Sequence, residues 1–551
     1  MKAVPWLERL FRLIVDQCAS RGCTLPAPLH KAMMRLEWRA RAPERARMHA
    51  EAVLSASPGN SEALRLVLRT LREEGRLEEA WAFVDRLNIE PAAEAPDLLI
   101  ELGELANDSG NMDGVRRWCT RVLERTPDHP RGLHLMHRAA VKSFPLAELR
   151  AEVADWLSRD ATRRETASRA ALHIAFHEDQ DWAGVVSLCD NASRRQLEWQ
   201  IHKVLALARG GDVAAAESAL SRLHHAHSGE DEVDLLEAEL ACEQAGVPRQ
   251  RAAINRVLAR HGLAGLAETV DRFDVAHLAC VPVPVAEEGP LVTVVMTVYG
   301  NGPWLDAAVR SVLEQSYRRI EVILVDDCSP DDALAALRGY ERADPRVRVL
   351  QTPVNGGTYL AKNLALTRAS GELITFMDSD DWAHPQRIER QVAALSSDPR
   401  AVGVWHNALR VGDGGHIELL GRASRPVYIS LMLRRQVHER LGFFDGVRVG
   451  ADAEFLARIR SAYGRTALLH QPLPTTFATR HTASLTGGGT HSLDWRSPTG
   501  DRLAYRCAFR AWHRRMAAKG RDPYVPHPLT ERPFPAPEAM LAKARPSPAR
   551  T

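Results

Sequence analysis

The chain has 551 residues, and its 72 Lys and Arg residues nearly balance its 70 Asp and Glu residues. This length is too great for one hydrophobic core and predicts two or three domains. The balanced charge excludes the basic field typical of proteins whose main partner is nucleic acid. A hydrophobic content of 45% is that of a globular protein.

Cysteine and histidine patterns give no metal or redox motif. The eight cysteines are scattered and none forms Cys-x-x-Cys, so a zinc or thiol-redox motif lacks support. His224, His225 and His227 cluster at a predicted helix end, which we interpret as a solvated terminus rather than a metal site. Scattered thiols fit a reducing compartment. We therefore expect a cytoplasmic protein, with a peripheral position at the inner face of the membrane as the alternative.

The N-terminal stretch MKAVPWLERLFRLIVDQ is amphipathic, but a proline and several charged residues interrupt it. It lacks the continuous apolar core of a signal peptide. No apolar run reaches the ~18 residues of a membrane span. We therefore predict a packed first helix and no transmembrane segment.

Residues 43 to 262 have the pattern of amphipathic helices rich in Ala, Leu, Arg and Glu. Turn-like breaks recur roughly every 35 residues, close to the period of tetratricopeptide (TPR) repeats. The first units resemble these repeats, whereas the later ones match only in period. We predict an all-α, TPR-like solenoid over residues 1–280 that offers a face for a protein partner. The breaks are Gly75-Arg76, Gly110-Asn111, Pro145-Leu146, Gln180-Asp181, Gly211-Asp212 and Gly246-Val247.

Residues 281–290, VPVPVAEEGP, contain three prolines and predict an extended linker. Strands and helices alternate after it, which predicts an α/β domain with a parallel sheet over residues 291–519. A helix from Leu503 to Lys519 is expected to end this domain. The proline-rich tail, residues 520–551, is predicted to be disordered or draped over the surface.

The predicted strands of this domain end in polar or turn residues. Ligands of parallel sheets collect beyond the carboxyl ends of the strands. Asp327 can accept hydrogen bonds from a nucleotide base or ribose, and Asn355 opens a Gly-Gly helix start, where anions bind. Lys362 lies one turn inside that helix. The strands are 291–299, 320–325, 347–350 and 372–377, and the helices start near Trp304, Asp331 and Thr358.

The fourth strand, in GELITFMDSDDW, stops against Asp378, Asp380 and Asp381. Two acids one residue apart at a strand end suit a divalent cation with oxygen ligands, Mn²⁺ or Mg²⁺. Asp378 can reach ribose or metal, and Asp380 the metal. Alone, Asp-x-Asp is often a solvated turn, but four suitable strand ends in order are hard to obtain by accident.

Two segments carry a family resemblance. TVYGNGPWLDAAVRSVLEQSYRRIEVILVDDCSPDD resembles the opening of family 2 glycosyltransferases of the GT-A fold, and NGGTYLAKNLALTRASGELITFMDSDD is similar to their Asn-x-Gly…Ala-Arg-Asn and Asp-x-Asp region. The resemblance is close from Pro290 to about Pro399 and looser to Ser484. Lys362 stands where arginine is usual, and Cys328 where glycine is usual.

The resemblance implies a metal-dependent, inverting transfer of a sugar from a nucleotide-diphosphate donor, with a UDP-sugar the first choice. The acceptor would be a saccharide, a lipid-linked group or a protein, in polysaccharide or glycoconjugate synthesis at the cell surface. The resemblance also adds Thr297 and Tyr299 to the donor-binding residues. The resemblance likewise implies that the nucleotide sugar is bound by Asp327, Asn355, Lys362 and Asp378.

The resemblance also assigns a general base. LGFFDGVRVGADAEFLARI looks like the family's Gly-Phe-Asp…Glu-Asp-x-Asp-Leu region, and Asp452 matches its catalytic aspartate. Ala451 replaces a usual Glu and Glu454 a usual Asp. The alternative is that Asp452 only caps the following helix. RHTASLTGGG resembles a His-x-x-Ser stretch and makes His481 a candidate metal or phosphate ligand.

Two other classes of function compete with this reading. A scaffold with a degenerate transferase domain would place the function in the solenoid, but the retained Asp327, Asp378, Asp380 and Asp452 argue against it. A nucleotidyltransferase needs a glycine-rich and basic loop after its first strand, and TVYGNGPW contains no Lys or Arg.

Overall fold

The structure is a computed structural model that describes residues 26–39, 42–74, 76–86, 95–159, 161–191, 196–244, 246–419, 424–480 and 496–542. The chain forms two compact units. The first comprises residues 1–170 and 498–521, and the second comprises residues 171–497 and 522–551. Within the described ranges, no helix is both long enough and apolar enough to cross a membrane.

The helices of the N-terminal half confirm the predicted all-α region. They are α1 (Ala27–Arg39), α2 (Pro43–Ala56), α3 (Ser61–Glu73), α4 (Leu77–Arg86), α5 (Pro96–Asp108), α6 (Met112–Arg125), α7 (Pro130–Ser143), α8 (Leu146–Ser158), α9 (Ala161–His173, continued by a π-helical stretch, Ile174–Asp179), α10 (Trp182–Asp190), α11 (Leu197–Arg209), α12 (Val213–Ala226), α13 (Asp231–Glu243) and α14 (Val247–Arg260).

The C-terminal half alternates strands and helices, as predicted. The strands are β1 (Val292–Val298), β2 (Ile320–Asp326), β3 (Val347–Gln351), β4 (Leu373–Asp378), β5 (Trp382–Ala383), β6 (Gly403–Gly412), β7 (Ser424–Pro426), β8 (Met432–Arg434) and β9 (Leu468–Arg480). The helices are α15 (Leu305–Leu313), α16 (Ala333–Ala343), α17 (Thr358–Leu366), α18 (Arg387–Ser397), α19 (Arg435–Leu441), α20 (Ala451–Tyr463) and α21 (Gly500–Ala518).

Three of the predicted breaks, Gly110-Asn111, Gln180-Asp181 and Gly211-Asp212, fall between two helical segments and share one capping device. The side chains of Asn111, Asp181 and Asp212 each accept a hydrogen bond from the backbone N–H three residues later, at 2.8, 2.9 and 3.0 Å. Such caps satisfy backbone donors that the first turn leaves unpaired. Gly110 and Gly211 precede two of these caps with φ of 75° and 90°, a conformation that favours glycine.

Helix α21 belongs to the first unit, which differs from the prediction that it ends the α/β domain. Ala511 joins the apolar core formed by helices of this unit, which includes Leu102 and Trp118. The Arg514 guanidinium also donates to the carbonyl of Arg72 at 2.7 Å. An amphipathic pattern shows that a helix buries one face, but it does not show which neighbour covers that face.

The second unit contains a mixed sheet with the strand order β3-β2-β1-β4-β8-β6-β9-β5, and β7 pairs with β6. Strands β1 to β4 are mutually parallel where they pair, and β8 runs antiparallel to β4. All seven residues of β1 are buried, as expected for a strand covered on both faces. The register places Thr297 beside Asp378, so the carboxyl ends of β1 and β4 lie together.

The core of the second unit extends to both sides of the predicted linker. Leu205 and Leu236 from helices α11 and α13 belong to the same apolar cluster as Trp382 and Phe477 from the sheet. The linker is docked, since the backbone N–H of Ala286 donates to the carbonyl of Ser316 at 2.8 Å. The domain boundary at residues 281–290 therefore stays a prediction, which a fragment experiment can test.

The described part of the proline-rich tail is draped along the α/β domain. The backbone N–H of Phe443 donates to Val525, and that of Arg448 donates to Met540, at 2.9 and 2.8 Å. The Arg532 guanidinium pairs with the fully buried Asp445 carboxylate. Tail residues thus hold the segment that leads into helix α20.

Candidate functional site

The carboxyl edge of β1 is tied to helix α17. The hydroxyls of Thr297 and Thr358 are 2.8 Å apart, which links the end of the strand to the first residue of the helix. Tyr299 follows β1 and is 54% exposed, so its ring is open to a ligand. Thr297 and Tyr299 therefore both lie at the carboxyl edge of the sheet, where the ligand is expected.

Asp327 holds the turn that opens helix α17. One carboxylate oxygen accepts from the N–H of Gly356 at 3.0 Å and from the Thr352 hydroxyl at 2.9 Å, and the other accepts from the N–H of Gly357 at 2.7 Å. Burial raises the pKa of the Asp327 carboxyl, and these bonds oppose that shift. The structure therefore gives Asp327 a supporting role at the Gly-Gly turn, and its contact with a nucleotide stays a prediction.

Arg448 adds a cation that the sequence reasoning missed. Its guanidinium donates to the side-chain oxygen of Asn355 at 3.0 Å and to the Asn355 carbonyl at 3.2 Å. A Cβ added to Gly357 would lie 3.6 Å from the Arg448 side chain, so the arginine covers the start of helix α17. A helix N-terminus beside a guanidinium is suited to an anion.

Lys362 and Asp378 form an ion pair across the predicted site. The Lys362 ammonium lies 3.2 Å from an Asp378 oxygen. The lysine side chain is only 4% exposed, whereas that of Asp378 is 44% exposed. The rings of Tyr359 and Phe376 flank the ammonium. The structure thus brings together two residues that were predicted separately, from a helix and from a strand end.

Asp380 and Asp381 lie on the turn between β4 and β5, and Thr479 anchors this turn. The Thr479 N–H donates to an Asp381 oxygen at 2.9 Å, and its hydroxyl donates to the Asp380 carbonyl. Burial, reinforced by the charges of Asp380 and Asp378, raises the pKa of the Asp381 carboxyl well above its ordinary value. Three carboxyl groups therefore crowd one short turn.

Arg387 lies beneath this acidic turn. Its guanidinium is buried and donates to the carbonyls of Phe376 and Ile429, both at 2.7 Å. Burial lowers its pKa to about 10, and the charges of Asp381 and Asp378 oppose that shift. The sequence pattern gave Arg387 no role, because its position in the first turn of α18 is typical of a solvated side chain.

The candidate base, Asp452, lies in the first turn of helix α20, where Gly450 occupies the cap position. The Asp452 carboxylate accepts a hydrogen bond from the N–H of Ala453 at 2.7 Å, and Tyr359 lies beside it. Burial raises the pKa of Tyr359 well above its ordinary value, and the charges of Asp452 and, more weakly, Asp378 add to this shift. Tyr359 thus keeps its proton and lies within the electrostatic reach of both carboxylates. Tyr359 lies three residues before Lys362, which puts both side chains on one helix face. This spacing could have identified Tyr359 as a site residue from the sequence.

Glu454, the other candidate base in this segment, is excluded by its environment. Its carboxylate and the Arg458 guanidinium form a two-point ion pair, and both side chains are 0% exposed. Arg458 also donates to the carbonyl of Leu441 at 2.7 Å. A carboxylate that is paired and sealed from solvent cannot receive a proton from an acceptor, so Glu454 is a structural residue.

The residues present fit a divalent metal at the acidic turn. Asp378 and Asp380 offer hard oxygen ligands, and the charge crowding that raises the pKa of Asp381 is what a bound cation relieves. His481, the other predicted ligand, lies outside the described residues. The donor set therefore rests on the carboxylates.

Comparison with known proteins agrees with this geometry. The family model for glycosyl transferase family 2 matches residues 293–455. An uncharacterized glycosyltransferase of Haemophilus influenzae is 32% identical over 147 residues, covering 27% of this chain and 59% of that protein. The putative teichuronic acid biosynthesis glycosyltransferase TuaG of Bacillus subtilis is 36% identical over 125 residues, covering 23% of this chain and 50% of that protein. The chain thus spans about half the length of these curated relatives.

A solved structure of S. aureus TarS 1-349 in complex with UDP-GlcNAc matches 41% of this chain and 66% of that chain, at 19% identity. Its TM-score of 0.32 is too low to support an argument. The sequence match and the site geometry coincide, since the matched residues contain Thr297, Asp327 and Asp378 at the strand ends and Asp452 at the start of α20. The C-terminal region of this chain therefore carries a domain of glycosyl transferase family 2.

Proposed function

We propose that the second unit transfers a sugar from a nucleotide-diphosphate sugar to an acceptor hydroxyl, with inversion at the anomeric carbon. One observation supports this proposal: the charges of both Asp452 and Asp378 act on the Tyr359 hydroxyl, so the candidate base and the donor-side carboxylate lie near the same tyrosine. A residue that only caps a helix would not need to lie beside the donor-side residues.

The donor diphosphate is proposed to lie at the start of helix α17. The backbone N–H groups there, the Arg448 guanidinium beside Asn355 and the Lys362 ammonium supply positive potential for phosphate oxygens. Tyr299 is exposed at the end of β1, where a nucleotide base can stack on its ring. Thr297 and Asp327 keep this edge in register.

Asp380, together with Asp378, is proposed to hold Mg²⁺ or Mn²⁺. When bound, such a cation offsets the negative charge that develops on the departing diphosphate. Thr479 and the buried Arg387 position the turn that carries these carboxylates. The donor-hydrolysis screen described below compares Mn²⁺ with Mg²⁺.

The transfer balances without a covalent intermediate. The acceptor oxygen forms a bond to the anomeric carbon on the side opposite the diphosphate, and the bond from that carbon to the phosphate oxygen breaks. The acceptor proton passes to Asp452, which acts as general base. The Tyr359 hydroxyl lies beside the Asp452 carboxylate that takes this proton. Inversion follows because the reaction is a single in-line displacement.

The proposal for the substrates, the location and the protein partner is less specific than that for the site residues. The name of the teichuronic acid relative supports an acceptor in cell-surface polysaccharide synthesis, and a UDP-sugar is the first donor to test. The free thiols of Cys119, Cys189 and Cys328 support a reducing, cytoplasmic location. The helical region is proposed to bind a protein partner, in the manner of other helical repeat arrays.

A donor-hydrolysis screen tests the function. Purified full-length protein is incubated with UDP- and GDP-sugars and either Mn²⁺ or Mg²⁺, and released nucleoside diphosphate is measured. Asp380→Ala should abolish metal-dependent donor binding and turnover, whereas Asp413→Ala, an exposed aspartate after β6, should change neither. Near-normal turnover of Asp380→Ala, or full activity in excess chelator, would overturn the metal assignment. Failure of every donor would favour the scaffold alternative.

A further inference from the structure

Helix α9 ends in a π-helical stretch, Ile174–Asp179, that brings two histidines together. The wider π turn shifts the side-chain register by one residue, and such bulges are frequent at functional sites. The rings of His173 and His177 stack here with centroids 5.5 Å apart. Gln180 then ends the stretch with φ of 51°, a conformation uncommon outside glycine.

A third histidine, His202 of helix α11, completes the group. Its ring lies edge-on to the rings of His173 and His177, with centroid distances of 5.6 and 6.2 Å. One ring nitrogen from each of the three residues lies within 4.8 Å of the others. These three residues are called the histidine triad below.

Glu198 contacts two members of the triad, through a hydrogen bond to one and a longer electrostatic contact to the other. His202 Nδ1 lies 2.7 Å from the Glu198 carbonyl, which can only accept, so Nδ1 carries the proton and Nε2 carries a lone pair. The Glu198 carboxylate lies 3.8 Å from His173 Nε2. A backbone carbonyl or carboxylate behind the ring is the usual support of a metal-bound histidine.

The third member has an unsatisfied nitrogen. His177 Nε2 is buried and has no hydrogen-bond partner among the residues that the structure describes. Buried polar atoms are nearly always paired, so such an atom calls for an explanation. Together with the Nε2 lone pair of His202, it gives the triad two nitrogens suited to a common ligand.

The triad borders a cavity. His177 and His202 line a space of about 400 Å³ that is also lined by Arg209 and Arg480. A metal held by three imidazoles would therefore have a fourth position open toward this space. Water can fill that position, as in zinc sites with three protein ligands. Arg209 and Arg480 are themselves paired with Glu239 and Glu418, which also line the space.

We propose that His173, His177 and His202 bind one divalent transition-metal ion, with Zn²⁺ as the favoured ion. Imidazole nitrogens prefer such ions to Mg²⁺ or Mn²⁺, so this site differs in chemistry from the carboxylates at Asp378 and Asp380. Zn–N bonds of ~2.0–2.1 Å in a tetrahedron require nitrogens roughly 3.4 Å apart, which small ring rotations can supply. The proposal does not depend on the proposed transferase activity.

A second group with metal-ligand residues carries no such proposal. His224, Asp234 and Glu237 also lie close together. Both carboxylates are already engaged by arginines: Arg256 donates to Asp234 at 2.7 Å, and Arg249 donates to Glu237 at 3.1 Å. This group is an ion-pair network on the helix surface, which agrees with the interpretation of His224 as a helix-end residue.

Zn²⁺ titration of the metal-free, full-length protein by calorimetry tests the proposal. Excess Mg²⁺ is present throughout, so that the carboxylate site is occupied. One Zn²⁺ per chain should bind, and Co²⁺ should give the visible absorption bands of a four-coordinate site. His177→Phe, which keeps a ring but removes the nitrogens, should weaken binding by roughly 100-fold or more, since it deletes one of three protein ligands.

Matched variants separate the triad from its surroundings. His416→Gln alters the same cavity outside the triad, and His224→Gln alters the ion-pair network, so both should bind Zn²⁺ as the wild type does. Glu198→Gln should weaken binding by about 10-fold to 100-fold, the usual effect of losing a supporting carboxylate. Glu198→Gln provides a second test of Zn²⁺ binding at the triad if His177→Phe does not fold. Zn²⁺ should raise Tm only in proteins that bind it.

The proposal is overturned if the wild type binds no Zn²⁺ in this titration. It is also overturned if His177→Phe and Glu198→Gln both bind Zn²⁺ with wild-type affinity, because the ion would then lie elsewhere. Loss of binding in His416→Gln alone would move the site into the cavity and away from the triad.

Discussion

Tyr359 lies beside Asp452, and the charge of Asp452, with a weaker contribution from Asp378, acts on the tyrosine hydroxyl. Residues from the start of α17 and the start of α20 thus meet at one point. Asp452 is in the first turn of its helix, and Tyr359 lies near both Asp452 and the donor-side Asp378. The candidate proton acceptor is therefore placed beside the donor-side residues.

The first prediction concerns this pair. Asp452→Asn keeps the shape of the side chain but removes the proton acceptor, so kcat should fall by roughly 10²–10⁴-fold. Tyr359→Phe keeps the ring and removes only the hydroxyl beside Asp452, so it should cost about 10-fold. Donor affinity, measured by calorimetry, should stay constant in both. If donor affinity falls while turnover at saturation holds, Asp452 is a binding residue or a helix cap.

The second prediction separates structure from catalysis within one helical turn. Glu454→Ala leaves the buried Arg458 guanidinium without its carboxylate and should lower the free energy of unfolding by about 3–5 kcal/mol. Asp452→Ala, on the same helix, should change stability by about 1 kcal/mol or less. Denaturant unfolding of the two variants makes the comparison. Equal losses of stability would mean that Asp452 is also a structural residue.

The third prediction concerns pH and the acidic turn. Because burial and neighbouring carboxylates raise the pKa of Asp381, the folded state holds a proton that the unfolded chain releases. The stabilising effect of that proton is complete below the unfolded pKa of ~3.9 and is lost as pH rises through the raised folded pKa. Asp381→Asn cannot ionise, so it avoids this loss of stability as pH rises. It also keeps a side-chain oxygen that can accept the Thr479 N–H. It should therefore raise stability at neutral pH and have little effect near pH 4.

Thermal melts from pH 4 to pH 8 in chelator measure this difference. The Tm gain of Asp381→Asn should grow with pH, at about 2–4 °C for each kcal/mol in a domain of this size. Asp413→Asn, at an exposed position, should give a flat difference across the same range. A gain that is constant with pH would mean that the substitution acts through packing and not through the charge.

The fold and the edge of the site were predictable because their signals are local. An apolar run that ends in a polar turn marks both a buried strand and its carboxyl end, and the predicted fourth strand, 372–377, is observed as Leu373–Asp378. The helix start at Thr358 was predicted from the Gly-Gly turn before it. Cys328, where the family usually has glycine, has φ of 56°, which explains the usual residue.

The remaining parts of the site depend on contacts between distant segments. The sequence placed Asp327 at a strand end, but its hydrogen bonds to Gly356 and Gly357 depend on how two loops fold together. Arg448 covers the start of α17 only because the chain returns 93 residues after Asn355, and the tail residue Met540 accepts a hydrogen bond from its backbone. Periodicity and motif spacing carry no information about such pairings.

The last prediction concerns the boundary between the helical and α/β regions. A fragment of residues 171–551 keeps helices α10 to α14, which share an apolar cluster with Trp382 and Phe477. A fragment of residues 285–551 lacks them and exposes that face of the sheet. It also loses Gln250, whose side-chain amide donates to the Gly415 carbonyl at 2.7 Å. Exposed apolar area of this kind promotes aggregation.

Both fragments contain α21 without the first unit, so the comparison between them isolates residues 171–284, which carry helices α10 to α14 and later cluster residues such as Phe273. We expect residues 171–551 to elute as a folded species with one cooperative melt, and residues 285–551 to be insoluble or to melt without cooperativity. Size-exclusion chromatography and circular dichroism measure these outcomes. If residues 285–551 are soluble and melt at the same temperature, the linker at residues 281–290 is a true domain boundary. The shared cluster would then be a docking contact between separately stable domains and not a common core.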